Sequence, residues 1–162
     1  MISDKILRVT CLPTVDFPAS GITSHELVQG TSDILAIPFP SELCLHDYSA
    51  EQLVLDCNVD LRDSSGSQIT RFFASVYYSF RVSRYIEKND ISVIHIHWVP
   101  LLFIALFSSS NKKFVLTIHG EDARYLKKGF FRYLATKMNK IFVVGTYWTS
   151  VLKEAGLTVE EI

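Results

Sequence analysis

Apolar residues recur along this chain in two rhythms. Between Gln68 and Lys88, Ile69, Phe72, Phe73, Val76, Tyr77 and Phe80 fall three and four apart. That spacing predicts an amphipathic helix, with Ser67 at its N-cap and Asn89-Asp90 as its stop. Elsewhere the apolar residues come in short continuous runs rich in Val, Ile and Phe, which predict strands: Lys5 to Leu12, Ile34 to Ile37, Ser92 to Trp98, Phe114 to Ile118 and Ile141 to Val144. Pro13 to Gly21 is a loop with two prolines and a glycine, and Ile22 to Gln29 a short helix. Pro100 opens a helix through Phe107; Phe130, Phe131, Leu134 and Met138 mark another, and Trp148 to Ala155 a last one closed by Gly156. Ser41 to Leu61 shows neither rhythm and takes no assignment, and Arg62 to Ser67 is a loop. The aromatic stripe of Phe72, Phe73, Tyr77 and Tyr78 reads as core packing, as does the greasy stretch Leu101 to Phe107.

Continuous apolar strands alternating with helices are what a parallel sheet covered on both faces requires. The fold class is α/β: a doubly wound, mostly parallel Rossmann-like sheet with helices on both faces. The 162 residues suffice for one domain, residues 1–162. In such sheets ligands bind beyond the carboxyl ends of the strands. Four loops lie there: Pro13 to Gly21, His97-Trp98, His119 to Asp122, and Gly145-Thr146.

Composition narrows the function classes. Lys plus Arg number 16 against 17 for Asp plus Glu, so the net charge of -1 gives no overall field for holding nucleic acid. Hydrophobic residues make up 48% and charged ones 20%, with a mean hydropathy of +0.21, which describes a folding, slightly greasy chain. Cys11, Cys44 and Cys57 form no CxxC pair and point to buried thiols in a reducing compartment. The polar start Met1 to Lys5 is not that of a signal peptide, and Ile91 to Phe107 is interrupted by His95, His97 and Pro100, unlike a spanning helix. The expected location is the cytoplasm, with peripheral contact to a membrane left open.

Candidate chemistry gathers at the loops named above. His119-Gly120-Glu121-Asp122 follows a strand directly, and Gly120 permits the sharp turn that brings two carboxylates and an imidazole to one sheet edge. Such a cluster suits a polyhydroxylated ligand, with His119 donating to sugar hydroxyls or a phosphate; the bland alternative is a solvated loop whose Asp caps the next helix. His95 and His97 share one face of a strand. Either one packs in the core while the other lines the cleft, or both join His119 or Asp122 around a metal, as in a hydrolase. Gly21 can bring backbone N–H groups to a phosphate, although the GxGxxG and P-loop spacings are missing. Cys11 reads as a core thiol.

The order of these pieces carries a resemblance. Ile91 to Trp98 supplies strand-His-x-His, Phe114 to Asp122 supplies strand-Thr-x-His-Gly-x-Asp, and Ile141 to Tyr147 a strand ending Val-Val-Gly-Thr. Val151 to Gly156 then closes the run. Together they resemble the N-terminal domain of family-four glycosyltransferases, which have the GT-B fold of two Rossmann-like domains facing across a cleft. Pro18 and Gly21 stand for the family's Pro- and Gly-rich loop with one glycine where two are common, Gly145 stands where Ser is usual, and Ala155 where Leu is usual.

The resemblance implies sugar transfer from a nucleotide diphosphate sugar, with retention at the anomeric carbon and no required metal or other cofactor. It implies that this half binds the acceptor, a sugar or a lipid-linked glycan, in cell-surface polysaccharide synthesis. His119 would be the catalytic group at the reacting sugar, Gly21 would approach the donor diphosphate, and His97, Gly120, Glu121, Asp122 and Thr146 would contact substrate. The donor site belongs to a C-terminal domain, which the expectation places beyond Thr158 to Ile162 or on a partner chain, so these residues alone are expected to be inactive. A non-catalytic Rossmann-like partner subunit is the alternative of another class, and a metal-dependent hydrolase using His95, His97 and His119 a third.

Overall fold

Short β-branched runs can be buried on both sides only if neighbouring strands satisfy their backbone and helices cover their faces. The computed structural model describes residues 6–14, 16, 33–49, 51–63, 65–127 and 129–162. Gly21 and the expected helix over residues 22–29 lie outside the described residues. The strands are β1 (Ile6–Val9), β2 (Ile34–Ala36), β3 (Leu53–Leu55), β4 (Val93–Ile96), β5 (Lys113–His119), β6 (Lys140–Val144) and β7 (Glu160–Glu161). All pair in parallel in one sheet, ordered β3-β2-β1-β4-β5-β6-β7. The order reverses between β1 and β4, the topological switch point where Rossmann-like sheets open a crevice.

Among the described residues the helices are α1 (Gln68–Lys88), α2 (Ile104–Phe107), α3 (Phe130–Ala135) and α4 (Thr146–Glu154). One sheet face, built from Leu7, Val9, Ile94, Ile96, Leu116, Ile118, Ile141 and Val143, is buried together with Tyr78, Val82 and Ile86 of α1 in the main core. On the other side Leu12, Leu35, Ile37 and Phe39 form a smaller cluster. Serines 75, 79 and 83 also lie buried on α1. Ser75 Oγ donates to the Pro100 carbonyl at 3.0 Å and Ser83 Oγ to the Ile104 carbonyl at 3.0 Å. The helix is thus bonded to the turn beyond β4.

Several expectations change. The unassigned stretch 41–61 holds a 3-10 turn (Ser41–Leu43) and β3. Pro100 to Phe107 begins as a 3-10 turn (Val99–Phe103) before α2, and His119 to Asp122 leads into another (Gly120–Leu126). Leu101, Leu102, Phe103 and Ile104 are core, as expected, whereas Leu106 and Phe107 at the end of the same stretch are exposed. Thr158 to Ile162, which takes no element from the sequence pattern, adds β7 to the sheet, pairing Glu160 with Phe142. Ser67 does occupy the N-cap position of α1, but its side chain makes no capping bond. Asn89 and Asp90 end the helix as expected, Asp90 in the left-handed region at φ 49°.

The aromatic stripe on α1 is not core. Tyr78 is 1% exposed, whereas Phe72 is 52%, Phe73 65% and Tyr77 65% exposed. A helix has one inward stripe, and here the hydrogen-bonded serines share it with Tyr78, Val82 and Ile86, so the other aromatics face outward. Tyr78→Ala is therefore expected to cost about 3–5 kcal/mol, against less than about 0.5 kcal/mol for Phe73→Ala, measured as shifts of the urea midpoint. Equal effects of the two substitutions would contradict this packing.

Candidate functional site

Alternation along the strands puts a polar row on the sheet face opposite the main core: Arg8 on β1, His95 on β4 and Thr117 on β5, with His97 and His119 further along at the carboxyl edge. Arg8 Nε pairs with Asp33 Oδ2 at 2.5 Å, and Arg8 Nη1 reaches His95 Nδ1 at 3.1 Å. Guanidinium only donates, so His95 Nδ1 accepts and its proton sits on Nε2, which faces Thr117 Oγ1 at 2.8 Å. The His95 ring lies 4.0 Å, centroid to centroid, from that of His97. The His97 ring in turn stacks on His119 at 5.6 Å with 17° between planes.

His97 is 8% exposed and buried more deeply than His95. Its Nδ1 lies 3.3 Å from His119 Nε2, and its own Nε2 is buried without a partner among the described residues. One proton is shared across the Nδ1···Nε2 contact, and burial decides which ring supplies it. A proton on His97 Nε2 would orphan a buried N–H donor, which costs more than an idle lone pair. His97 therefore donates from Nδ1, His119 accepts at Nε2, and the His119 proton resides on Nδ1. No described residue bonds that N–H, so His119 offers an uncharged donor from a ring that is itself exposed to solvent.

Desolvation keeps the row neutral. Burial, reinforced by the Arg8 guanidinium, pushes His95 down to about 4. Burial, with the neighbouring imidazoles and Arg8, takes His97 to about 2. The protein packed around His119 lowers its pKa as well. Asp122 moves the other way: burial raises it to about 6, partly offset by Arg124. Burial also lifts the Cys11 thiol to about 12, with Arg62 opposing and the Asp122 charge adding to the rise. Asp122 thus lies within electrostatic reach of the end of β1, and Cys11 is a protonated thiol, not a nucleophile.

The expected site residues divide. His97 and His119 meet, while Gly120 makes the turn at φ 64° and Asp122 lies in the 3-10 turn that follows, within electrostatic reach of Cys11 and with no contact to either imidazole among the described residues. Glu121 does not converge: its side chain is 79% exposed and pairs at 3.7 Å with Arg124. Thr146 starts α4 beside the site, two residues past Val144, the register partner of His119, and donates to Glu161 Oε1 at 2.7 Å. Gly21 lies outside the described residues. The three imidazoles are linked in a chain instead of aimed at one point, with the His95 nitrogens occupied by Arg8 and Thr117. Among the described residues no cluster of three or more His, Cys, Asp or Glu is arranged to hold a metal, so the hydrolase arrangement has no geometric support.

Sequence reasoning missed Arg8, Thr117 and Arg62. Period-two alternation places the first two beside His95 once strand order is known. Arg62 lies in the loop after β3, with Nε 3.0 Å from Asp60 Oδ1, Nη2 2.8 Å from Asp60 Oδ2, and its guanidinium 3.8 Å over the Phe39 ring. It also reaches Thr14 Oγ1 at 3.4 Å, tying the loops after β1 and β3 together. The sequence marks Arg62 only as the start of the loop Arg62 to Ser67, with nothing to join it to the loop after β1.

Residues 43–162 match the family model described as Glycosyltransferase Family 4, a span holding α1, β3 to β7 and the loops that carry His97 and His119. No curated protein matches the chain.

Two outcomes are expected. Long-range proton–nitrogen correlation spectra at pH 7.5 should show His119 protonated on Nδ1, and His97→Phe should move that proton to Nε2; an Nε2–H form in the unaltered protein would contradict the proton assignment. Stability should fall as pH drops from the unfolded histidine value of 6.5 towards 4, because the unfolded chain then binds protons that His95, His97 and His119 refuse. Asp122 works against this between 3.8 and about 6, where the folded state holds the extra proton, but it is one group against three. The urea midpoint should be lower at pH 5 than at pH 7.5, and an equal or higher midpoint at pH 5 would contradict the neutral row.

Proposed function

Because the chain belongs to glycosyltransferase family 4, we propose that it is the acceptor-binding half of a retaining transferase that moves a sugar from a nucleotide diphosphate sugar onto a sugar or lipid-linked glycan acceptor. The observation that carries this reading is the neutral His119, held by His97 at the carboxyl edge of the sheet beside the β1–β4 switch point. As the donor's glycosidic bond breaks, negative charge grows on the leaving diphosphate and positive charge on the anomeric carbon. A neutral Nδ1–H can bond a sugar hydroxyl or a phosphate oxygen without repelling the developing cation, as an imidazolium would. Asp122 supplies a carboxylate that accepts from a sugar hydroxyl, and Gly21 a backbone N–H for the diphosphate.

The proposed setting is cell-surface polysaccharide synthesis on the cytoplasmic face of a membrane. Among the described residues no helix is long and apolar enough to cross a membrane. Peripheral contact is supported by the outer face of α1, where Ile69, Phe73, Tyr77 and Phe80 stand exposed and Arg84 and Lys88 follow.

Fixed cationic groups for the leaving diphosphate and a wall that excludes water belong to a donor domain facing the same edge. These 162 residues, assayed alone against a panel of nucleotide sugars, are expected to show no transfer, and mixing in a separately produced donor domain of a relative is expected to restore it. In that completed enzyme His119→Ala should lower kcat by about a hundredfold or more with little change in the urea midpoint. Robust transfer by the chain alone as a monomer would overturn the half-enzyme reading.

A further inference from the structure

A cleft of about 380 Å³ opens between the first turns of α1 and the 3-10 turns that follow β4 and β5. Its walls are aromatic: Phe72, Trp98, Phe103, Tyr125 and Phe131. Phe103 meets Phe72 and Phe131 edge-on, each at 5.7 Å between centroids, and Tyr125 meets Phe131 at 6.1 Å. Gln68 and Ser75 also line it, and the charged member is Arg71, whose Nε is buried and has no hydrogen-bond partner among the described residues. Asp63 interacts with Arg71 electrostatically without an ion pair between them, and its carboxylate oxygens accept from Ser65 N–H and Oγ at 2.8 and 2.7 Å. None of the described residues lining the cleft is acidic.

A guanidinium is the side chain best suited to a phosphate or carboxylate, and a buried N–H left unbonded is a place where a ligand anion completes the protein's own hydrogen bonding. The aromatic walls favour hydrocarbon beside that anion. The apolar surface does not end at the rim: Phe72 meets the exposed Phe73 at 5.6 Å, and Phe103 meets the exposed Phe130 at 5.7 Å. A chain too long for the cleft therefore has a dry path outward. The cleft also adjoins the site, since Trp98 follows His97 directly and Tyr125 lies in the turn that His119 opens.

Resting on the acceptor-side reading above, we propose that this cleft seats the acceptor and that the acceptor is an anionic amphiphile, a phosphate-type headgroup carried on a long aliphatic chain. Arg71 binds the headgroup, the aromatic walls hold the first methylenes, and the rest of the chain leaves over Phe73 and Phe130.

The chain has two tryptophans, so Trp148→Phe makes Trp98 emission a local probe. In that background, decyl phosphate below its micellar concentration should bind saturably and at least tenfold more tightly than decyl maltoside or inorganic phosphate. Arg71→Gln should remove the preference over decyl maltoside, Arg71→Lys should keep most of it, and Lys153→Gln, exposed on α4 and outside the cleft, should leave it unchanged. Equal affinity for the phosphate and the maltoside would overturn the proposal. So would a preference that survives Arg71→Gln, or inorganic phosphate binding as tightly as decyl phosphate. The two readings fail separately. Decyl phosphate binding without sugar transfer in the completed enzyme refutes the transferase reading alone, and transfer without decyl phosphate binding refutes the cleft alone.

Discussion

Parallel pairing of β4 with β5 is the constraint on which the candidate site depends. His95 stands opposite Val115 and Ile96 opposite Leu116, so the two strands run in step towards the same edge. Only in that register do His97 and His119 arrive together, close enough for Nδ1 of one to face Nε2 of the other at 3.3 Å. A slip by one residue would turn every side chain of one strand to the opposite face. The slip is resisted by the opposite face itself, where Ile94, Ile96, Leu116 and Ile118 are all buried in the main core. Hydrophobic burial on one side of the sheet thus fixes the imidazole geometry on the other.

That geometry also explains how a sheet can carry a row of polar side chains through its middle. Buried polar groups are tolerable when bonded and costly when charged. Arg8 pairs with Asp33 and spends a second donor on His95. The histidines beyond it give up their charge instead, and each proton then has one place to go. The row begins at an anchored cation in the sheet and ends at a neutral donor on the surface. An acidic medium attacks this arrangement first, because protonating any ring puts a second cation near Arg8 in a place of low dielectric.

Where the chain's local rhythm and its tertiary role agree, the sequence is legible. Gln68 to Lys88 is helical from end to end as its spacing predicts, and Phe114 to Ile118 and Ile141 to Val144 lie within β5 and β6. The parallel α/β class and the pairing of His97 with the His119 loop are legible for the same reason. Illegible features need partners distant in sequence. β3 is a three-residue edge strand with no pattern of its own, and β7 is two glutamates that extend only because β6 offers an open edge. The aromatic stripe on α1 misleads because helical spacing identifies a face but not which face is inward, and small serines with carbonyl partners can take the inner one. Glu121 and Asp122, adjacent in sequence, part company because the 3-10 turn at Gly120 points one towards solvent and Arg124 and lets the other become half-buried.

The serine contacts tie the two halves of the proposed acceptor surface together. Ser75 bonds the carbonyl of Pro100, and the same turn carries Phe103 into the cleft while following directly on His97 and Trp98. Movement of the N-terminal end of α1 would therefore shift Arg71 and Phe72 together with the turn behind His97. In the proposed reading, an acceptor at Arg71 and a sugar at His119 would thus be referred to one hydrogen-bonded unit, the α1–β4 connection. Orientation of two substrates needs such a common frame, since misplacement by about 1 Å can cost about a hundredfold in rate. The hydroxyl of Ser75 is too small to fill the cleft and is already committed to a backbone carbonyl. In the proposed arrangement the anion is thereby left to Arg71 and the apolar chain to the rings.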